Sequence, residues 1–314
     1  DRERILSRAG LSVREVVPKV AKIVEDVRRR GDRALIKYTR MFDGVRLSKR
    51  RIKVSQREIK EAYKKIPDEV VQALRAAAKN IERFHRALIP PKMWMQEISA
   101  GVSVGQIWAP IESVGLYVPG GLAAYPSTVL MTAIPARVAG VEKVIACTPP
   151  ASDGSANPAV LVASDIAGVD EVFRVGGAQA IAAMAYGTES IKKVRKIVGP
   201  GGIYVSVAKM LVSSEVLTDC FAGPSELLIL ADSSADPELI ALDLISQAEH
   251  DPLAIVGLVT PSRKLALAVF RFIERFMKED LKRREIIEKS LERSFIARGE
   301  IEDCIRFVNE FAPE

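Results

Sequence analysis

From about residue 102 onward, short runs rich in Val and Ile alternate with segments of helical pattern, and this alternation restricts the fold more than any other feature of the chain. VEKVIACT (141–148), EVFRV (171–175), KIVG (196–199), ELLILAD (226–232) and LAIVGLVT (253–260) read as strands. NPAVLVASDIAGV, AQAIAAMAYG, IYVSVAKMLV and PELIALDLISQAEH read as the helices between them. Such a rhythm predicts βα units wound around a largely parallel sheet, with ligands at the carboxyl ends of the strands.

The first third of the chain reads as helical. Ser12 and Glu15 have capping-box spacing, ahead of an amphipathic segment that restarts after Pro18 and runs to Gly31. Ser55 and Glu58 form a second box, and Asp68 to Ala87 reads as a long helix closed by Pro90-Pro91. A chain of 314 residues, 48% hydrophobic, can bury a large core and divides into two or more domains. No apolar run approaches the roughly 20 residues of a spanning helix, and DRERILSRAG at the start is charged rather than signal-like. A soluble cytoplasmic protein without membrane partners is therefore expected. Cys147, Cys220 and Cys304 are too scattered for a disulfide framework or a C-x-x-C pair, which fits a reducing compartment.

The net charge of +6 raises the question of nucleic acid. The basic clusters Arg28 to Arg30, Lys49 to Arg51 and Lys282 to Arg284 lie beside acids and lack interleaved aromatic residues, so they read as solvated helix faces and no nucleic-acid partner is expected. Three Asn and six Gln against 46 Lys and Arg and 40 Asp and Glu resemble the bias of heat-adapted proteins.

Chemistry is concentrated in glycine-rich turns. VPGG (118–121), VGGAQA (175–180) and GPGG (199–202) follow strand-like runs, and the latter two open helices whose free N–H groups suit a phosphate. None matches G-x-G-x-x-G, so each alone is equally an ordinary tight turn. In FAGPSE (221–226), Ser225 presents a hydroxyl where a loop meets a strand; a nucleophilic role would need a nearby base, and the chain has two histidines. His85 reads as a surface or half-buried structural residue. Gln247 and His250, three apart at the end of a helix, share one face and offer an oxygen and a nitrogen to one cation, though a zinc site normally takes about four ligands.

GLYVPGGLAAYPSTVLMTAIPARVAGV (115–141), the long motif from 175 to 212, DCFAGPSELLILAD (219–232) and DLISQAEHDP (243–252) together resemble the histidinol dehydrogenase family in order and spacing, and the similarity runs from VRRRGDRALIKYTRMFDG to the final VNEFAPE. The resemblance implies a four-electron, NAD-dependent oxidation of L-histidinol to L-histidine through an enzyme-held aldehyde, with zinc polarising the substrate. It implies that Tyr117 and Gln179 contact NAD and that Ser225 contacts substrate. Gln247 and His250 would be zinc ligands lying against the substrate, and Glu314 the carboxylate that activates water. Gly202 stands where the family usually has an Asn that helps to hold NAD.

The implied fold is α/β with two incomplete Rossmann-like domains resembling aldehyde dehydrogenases. Residues 1–11 would form a helical extension, 12–116 with 225–314 the substrate and zinc domain, and 117–224 an inserted NAD domain. A homodimer exchanging terminal segments is implied as well. The sequence ends at Glu314, ahead of the histidine that follows it in the family and of the Asp and His that complete the zinc site, so impaired turnover by the 314-residue form is the expectation. The alternatives are a related zinc- and NAD-dependent alcohol dehydrogenase for another small polar diol or aminoalcohol, and a non-catalytic binding remnant.

Overall fold

The computed structural model describes residues 13–120, 125–219 and 225–313. The described residues form two compact units, residues 13–219 and residues 225–313. The Ser12–Glu15 box lies partly outside the described residues.

The larger unit begins with α1 (Val13–Arg30) and α2 (Asp32–Phe42), joined at Gly31, and continues through α3 (Lys49–Ile52), α4 (Gln56–Tyr63) and α5 (Asp68–Ala87). α1 does not restart at Pro18; it runs through it. Pro18 is the sixth residue of α1, so the helix forgoes the one bond an N–H there would donate to the Arg14 carbonyl, and the burial of Val16, Val20, Ile23, Val24 and Val27 carries it through. Ser55 and Glu58 make the reciprocal capping box at α4, and α5 has the bounds its pattern predicts, burying a stripe of Val71, Leu74, Ala78 and Ile81 at three- and four-residue spacing.

Next come β1 (Met93–Ser99) and β2 (Val102–Ile107), an antiparallel hairpin turning at Gly101 that the alternation did not predict. Both of its faces are exposed, so it carries no in-and-out hydrophobic pattern by which to be recognised.

The βα units follow in the expected order: β3 (Ser113–Tyr117), α6 (Pro126–Val138), β4 (Lys143–Thr148), α7 (Pro158–Ile166), β5 (Glu171–Arg174), α8 (Gly177–Tyr186), β6 (Lys196–Val198), α9 (Ile203–Val212) and β7 (Leu217–Thr218). Among the described residues these five strands form one parallel sheet in the order β5-β4-β3-β6-β7. The order reverses between β3 and β6, the strand order of dinucleotide-binding sheets, although their glycine fingerprint is missing.

Side chains alternate between two cores. Tyr117, Ile145, Cys147 and Phe173 face one side with α1, α2, α8 and α9. Val114, Leu116, Val144, Ala146 and Val172 face the other with α4 to α7. Burial on both faces is why these strands read as continuous apolar runs. Helices α1 to α5 thus pack on this sheet, so residues 13–116 group with 117–219 rather than with 225–313. The sequence has no linker at which that grouping could have been read.

The smaller unit holds β8 (Glu226–Leu230), α10 (Pro237–Ala248), β9 (Ile255–Thr260), α11 (Arg263–Phe276), α12 (Arg284–Leu291), β10 (Phe295–Arg298) and α13 (Ile301–Phe311). Its described strands are parallel in the order β10-β9-β8. Val256 and Leu258 pack against α10, α11 and α12. On the opposite face Val259 meets Cys304, Phe307 and Phe311 of α13, with Phe295, Phe307 and Phe311 in mutual ring contact at centroid separations of 5.8–6.2 Å.

Candidate active site

The reversal in strand order splays the connections after β3 and β6 apart, leaving a crevice at the carboxyl end of the sheet. Four strand-end segments border it: Val118-Pro119-Gly120 after β3, Pro149 after β4, Val175-Gly176-Gly177 after β5, and Gly199-Pro200-Gly201-Gly202 after β6. They lie against one another closely. A Cβ on Gly120 would sit 2.7 Å from Pro149 Cγ and one on Gly176 2.5 Å from Pro149 Cβ, so Pro149 is wedged between the two loops. Gly199 has φ +117°, and a Cβ there would stand 2.1 Å from the Tyr117 carbonyl oxygen; only glycine can occupy this position.

Two helices open at this edge without side-chain caps. α8 begins after Gly176 and α9 after Gly202, leaving their first N–H groups to the crevice. Gly177 spends its N–H on the Tyr117 hydroxyl, which accepts it at 3.0 Å. Tyr117 is 6% exposed, and burial pushes its phenol up to about 12, with the nearby Asp43 carboxylate adding to the shift against the Gly177 bond. It is thus a neutral phenol whose own proton remains available to donate. Gln179, 1% exposed, has its Oε1 buried with no hydrogen-bond partner. An amide oxygen buried without a donor is a costly arrangement unless a ligand donates to it.

The β6 loop is held from below. Lys209 of α9, 3% exposed, donates from Nζ to the Gly199 carbonyl and to Asp219 Oδ1, both at 2.5 Å. The second Asp219 oxygen accepts the Gly199 N–H at 2.6 Å. Neither Lys209 nor Asp219 was singled out in the sequence, because nothing local tells a lysine in a helix that it will be buried under a glycine loop.

Gly202 caps α9 with ordinary extended geometry, φ −65° and ψ 177°, and a Cβ there would meet nothing within 4 Å. Gly202→Asn is therefore expected to fold normally, to strengthen the helix start by a few tenths of a kcal/mol, and to tighten NAD binding roughly fivefold through one added polar contact. Calorimetric titration with NAD checks this; unchanged affinity would mean the position carries no cofactor contact.

Cys147, fully buried at the end of β4, has its thiol pushed up to about 12 by burial, which makes it an inert core residue despite its closeness to the crevice.

In the smaller unit, Ser225 is exposed immediately before β8, and its carbonyl accepts the Ile255 N–H at 3.1 Å. Gln247 lies in the last turn of α10, and His250 in the turn beyond it, its N–H donated to the Gln247 carbonyl at 3.2 Å. The helix proper ends at Ala248, and Glu249 keeps helical backbone angles, so His250 follows Gln247 by one further helical turn. Because α10 runs back to the start of β9, the α10 C-terminus and Ser225 are brought to one edge of the three-stranded sheet. That edge is the amino end of the strands, where the strand-end rule does not place a ligand. His85, on α5, is half-buried and packs edge-on against Phe84, as its structural reading requires. Glu314 lies outside the described residues. Among the described residues no group of three or more His, Cys, Asp or Glu could hold a metal.

Comparison with known proteins decides what these features belong to. The family model described as histidinol dehydrogenase matches residues 6–314. The chain belongs to the histidinol dehydrogenase family. The histidinol dehydrogenase of Methanothermobacter thermautotrophicus is 53% identical over 312 residues, covering 99% of this chain and 72% of that protein. The Synechococcus histidinol dehydrogenase is 52% identical over 297 residues, covering 94% of this chain and 68% of its own. The crystal structure of histidinol dehydrogenase from Elizabethkingia anophelis is 41% identical, with a TM-score of 0.87 over 95% of this chain and 68% of that one. The chain is accordingly an oxidoreductase of histidine biosynthesis, histidinol dehydrogenase being the reading these relatives support over the alternative alcohol dehydrogenase or binding remnant.

Proposed function

We propose that the crevice between β3 and β6 holds NAD, with Tyr117 and Gln179 as its polar contacts and the glycine loops admitting the backbone of the dinucleotide. The observation that carries this reading is the orphaned Gln179 Oε1 beside the Tyr117–Gly177 bond at the point where strand order reverses. A carboxamide or ribose would donate to Gln179. The bare N-termini of α8 and α9 suit the pyrophosphate.

Ser225, Gln247 and His250 are proposed to hold L-histidinol, an aminoalcohol whose hydroxyl and amine suit a hydroxyl, an amide oxygen and an imidazole. Zinc is proposed at Gln247 and His250. These two donors are half of the usual set of four, and the other two would have to come from outside the described residues. When bound, the ion would polarise the substrate oxygen. Glu314 is proposed to draw a proton from the water that adds to the aldehyde. Across the whole reaction two hydrides leave the carbinol carbon for two NAD molecules, and one water oxygen enters the product.

A homodimer in a cytoplasmic setting completes the proposal. It is supported by the exposed apolar side chains of the β1–β2 hairpin, including Trp94, Met95 and Ile98, since such a two-stranded ribbon is marginal without a cover. Light scattering at twice the chain mass is the check. Among the described residues no helix is long and apolar enough to cross a membrane.

The direct test is Gln179→Ala. It should weaken NAD binding by about tenfold, the worth of one buried hydrogen bond, while binding of L-histidinol stays unchanged. NAD affinity equal to wild type in a folded variant would remove the crevice from the reading.

A further inference from the structure

Asp43 ends α2: its N–H is donated to the Thr39 carbonyl at 2.9 Å, and the chain leaves the helix there. The segment that follows is fastened along the carboxyl end of the sheet. Val45 and Leu47 are buried, the Arg51 guanidinium donates to the Gly154 carbonyl at 3.2 Å, and Arg174 at the end of β5 donates to the Arg51 and Lys53 carbonyls at 2.7 and 3.1 Å. Val54 N–H pairs with the Val172 carbonyl at 2.8 Å. Asp43 leads into this fastened segment and lies near enough to Tyr117 for its charge to act on the phenol.

Its Oδ2 is closed off from solvent and has no hydrogen-bond partner. Burial raises its pKa to about 6. A carboxylate oxygen closed off from water without a donor is costly, so its presence calls for a partner that arrives later. The chemistry of the surroundings narrows what that partner is. Asp43 Oδ2 and Gln179 Oε1 are both acceptors without donors. A phosphate would be repelled, and a plain apolar ligand would leave both unsatisfied. A neutral group with adjacent hydroxyls satisfies a carboxylate with charge-assisted bonds, and in dinucleotide folds an acidic side chain commonly takes this part.

We propose that Asp43 is a further cofactor-binding residue of this enzyme, its carboxylate accepting hydrogen bonds from the hydroxyls of a ribose of NAD. The proposal rests on the assignment of the crevice to NAD. It adds a residue from the helical segment before the hairpin to a site otherwise built from strand-end loops, and explains why α2 ends on an acid whose side chain caps nothing.

The experiment is calorimetric titration of NAD into the full chain, its Asp43→Asn and Asp43→Ala variants, and Gln179→Ala alongside. Asp43→Asn keeps the shape and removes the charge, and is expected to weaken NAD binding about tenfold to a hundredfold. The ligand-free melting temperature should be equal to or higher than wild type, because a half-buried charge with one unpaired, water-excluded oxygen has been removed. ADP-ribose and nicotinamide mononucleotide, titrated separately, locate the ribose: a loss confined to one of them assigns the contact to that half. NAD affinity unchanged in Asp43→Asn, with Gln179→Ala weakened, overturns the role of Asp43 and leaves the crevice standing. Both variants unchanged overturns the crevice itself. Should Asp43→Ala fail to fold, Asp43→Asn carries the result.

Discussion

Asp219→Ala is expected to remove about 3–5 kcal/mol of stability from the larger unit, the cost of leaving one partner of a buried ion pair unmatched. Lys209 is the reason. Lys209 is 3% exposed, and its ammonium is satisfied only by Asp219 and the Gly199 carbonyl among its described partners. With the carboxylate gone, a buried cation remains beside one carbonyl, and the Gly199 N–H loses its acceptor as well. The melting transition of this unit should fall by roughly 6–20 °C for a segment of its size. NAD affinity should fall further than stability alone explains, because the loop released is the one that packs Gly199 onto the Tyr117 backbone. Replacing both partners, Lys209→Met with Asp219→Leu, should recover much of the stability, since no charge is then left buried. A single Asp219→Ala variant that melts with wild type would show that the pair does not hold the loop.

Arg174→Met is expected to cost about 3 kcal/mol. Arg174 is 2% exposed and ties three pieces together: the Arg51 carbonyl, the Lys53 carbonyl and the Glu58 carboxylate at the start of α4. Methionine fills the space but leaves two carbonyls without donors. The pH dependence reports the same contact. Burial alone would raise the Glu58 pKa, but hydrogen bonds from Arg174 and Ser55 outweigh it and hold the carboxyl down at about 2 from its ordinary 4.5. A depressed carboxylate contributes its stability fully above the unfolded value and loses it as pH falls through the folded one. Wild type should therefore lose stability between about pH 4.5 and pH 2, and Arg174→Met should lose less over that interval. The Glu58 side chain is 41% exposed, so solvent screening reduces the size of the effect without changing its sign. Denaturant unfolding at several acid pH values reads it, and parallel acid limbs in the two proteins would contradict the assignment.

The two variants act on opposite borders of the proposed crevice, so Arg174→Met, like Asp219→Ala, is expected to weaken cofactor binding. Asp219 and Lys209 hold the β6 loop, while Arg174 holds the segment that carries Asp43 over the end of β5. Neither set contributes an atom to the ligand in the proposed site. Their effect is on position: a loop displaced by a fraction of an ångström presents its N–H groups along the wrong direction.

Much of this molecule is legible in the sequence by itself. The βα rhythm, the Ser55–Glu58 cap and the bounds of α5 were all readable, because periodicity, capping and proline breaks act within a few residues. The family was legible too, through long motifs in fixed order. Tertiary structure alone decided the rest. Pro18 is tolerated in a continuous helix, and the hairpin carries no burial pattern to betray it. The order β5-β4-β3-β6-β7 follows from which strands find each other across intervening helices. His250 falls just beyond the end of α10, and Ser225 is tied to the start of β9 by the bond from Ile255. Asp43, Lys209, Asp219 and Arg174 gave no signal, since a charged residue is ordinarily solvated and only the packed fold removes its water. Local chemistry determined the elements and the family; contacts between residues distant in the chain determined which polar groups were buried, which were paired, and which were left waiting for a ligand.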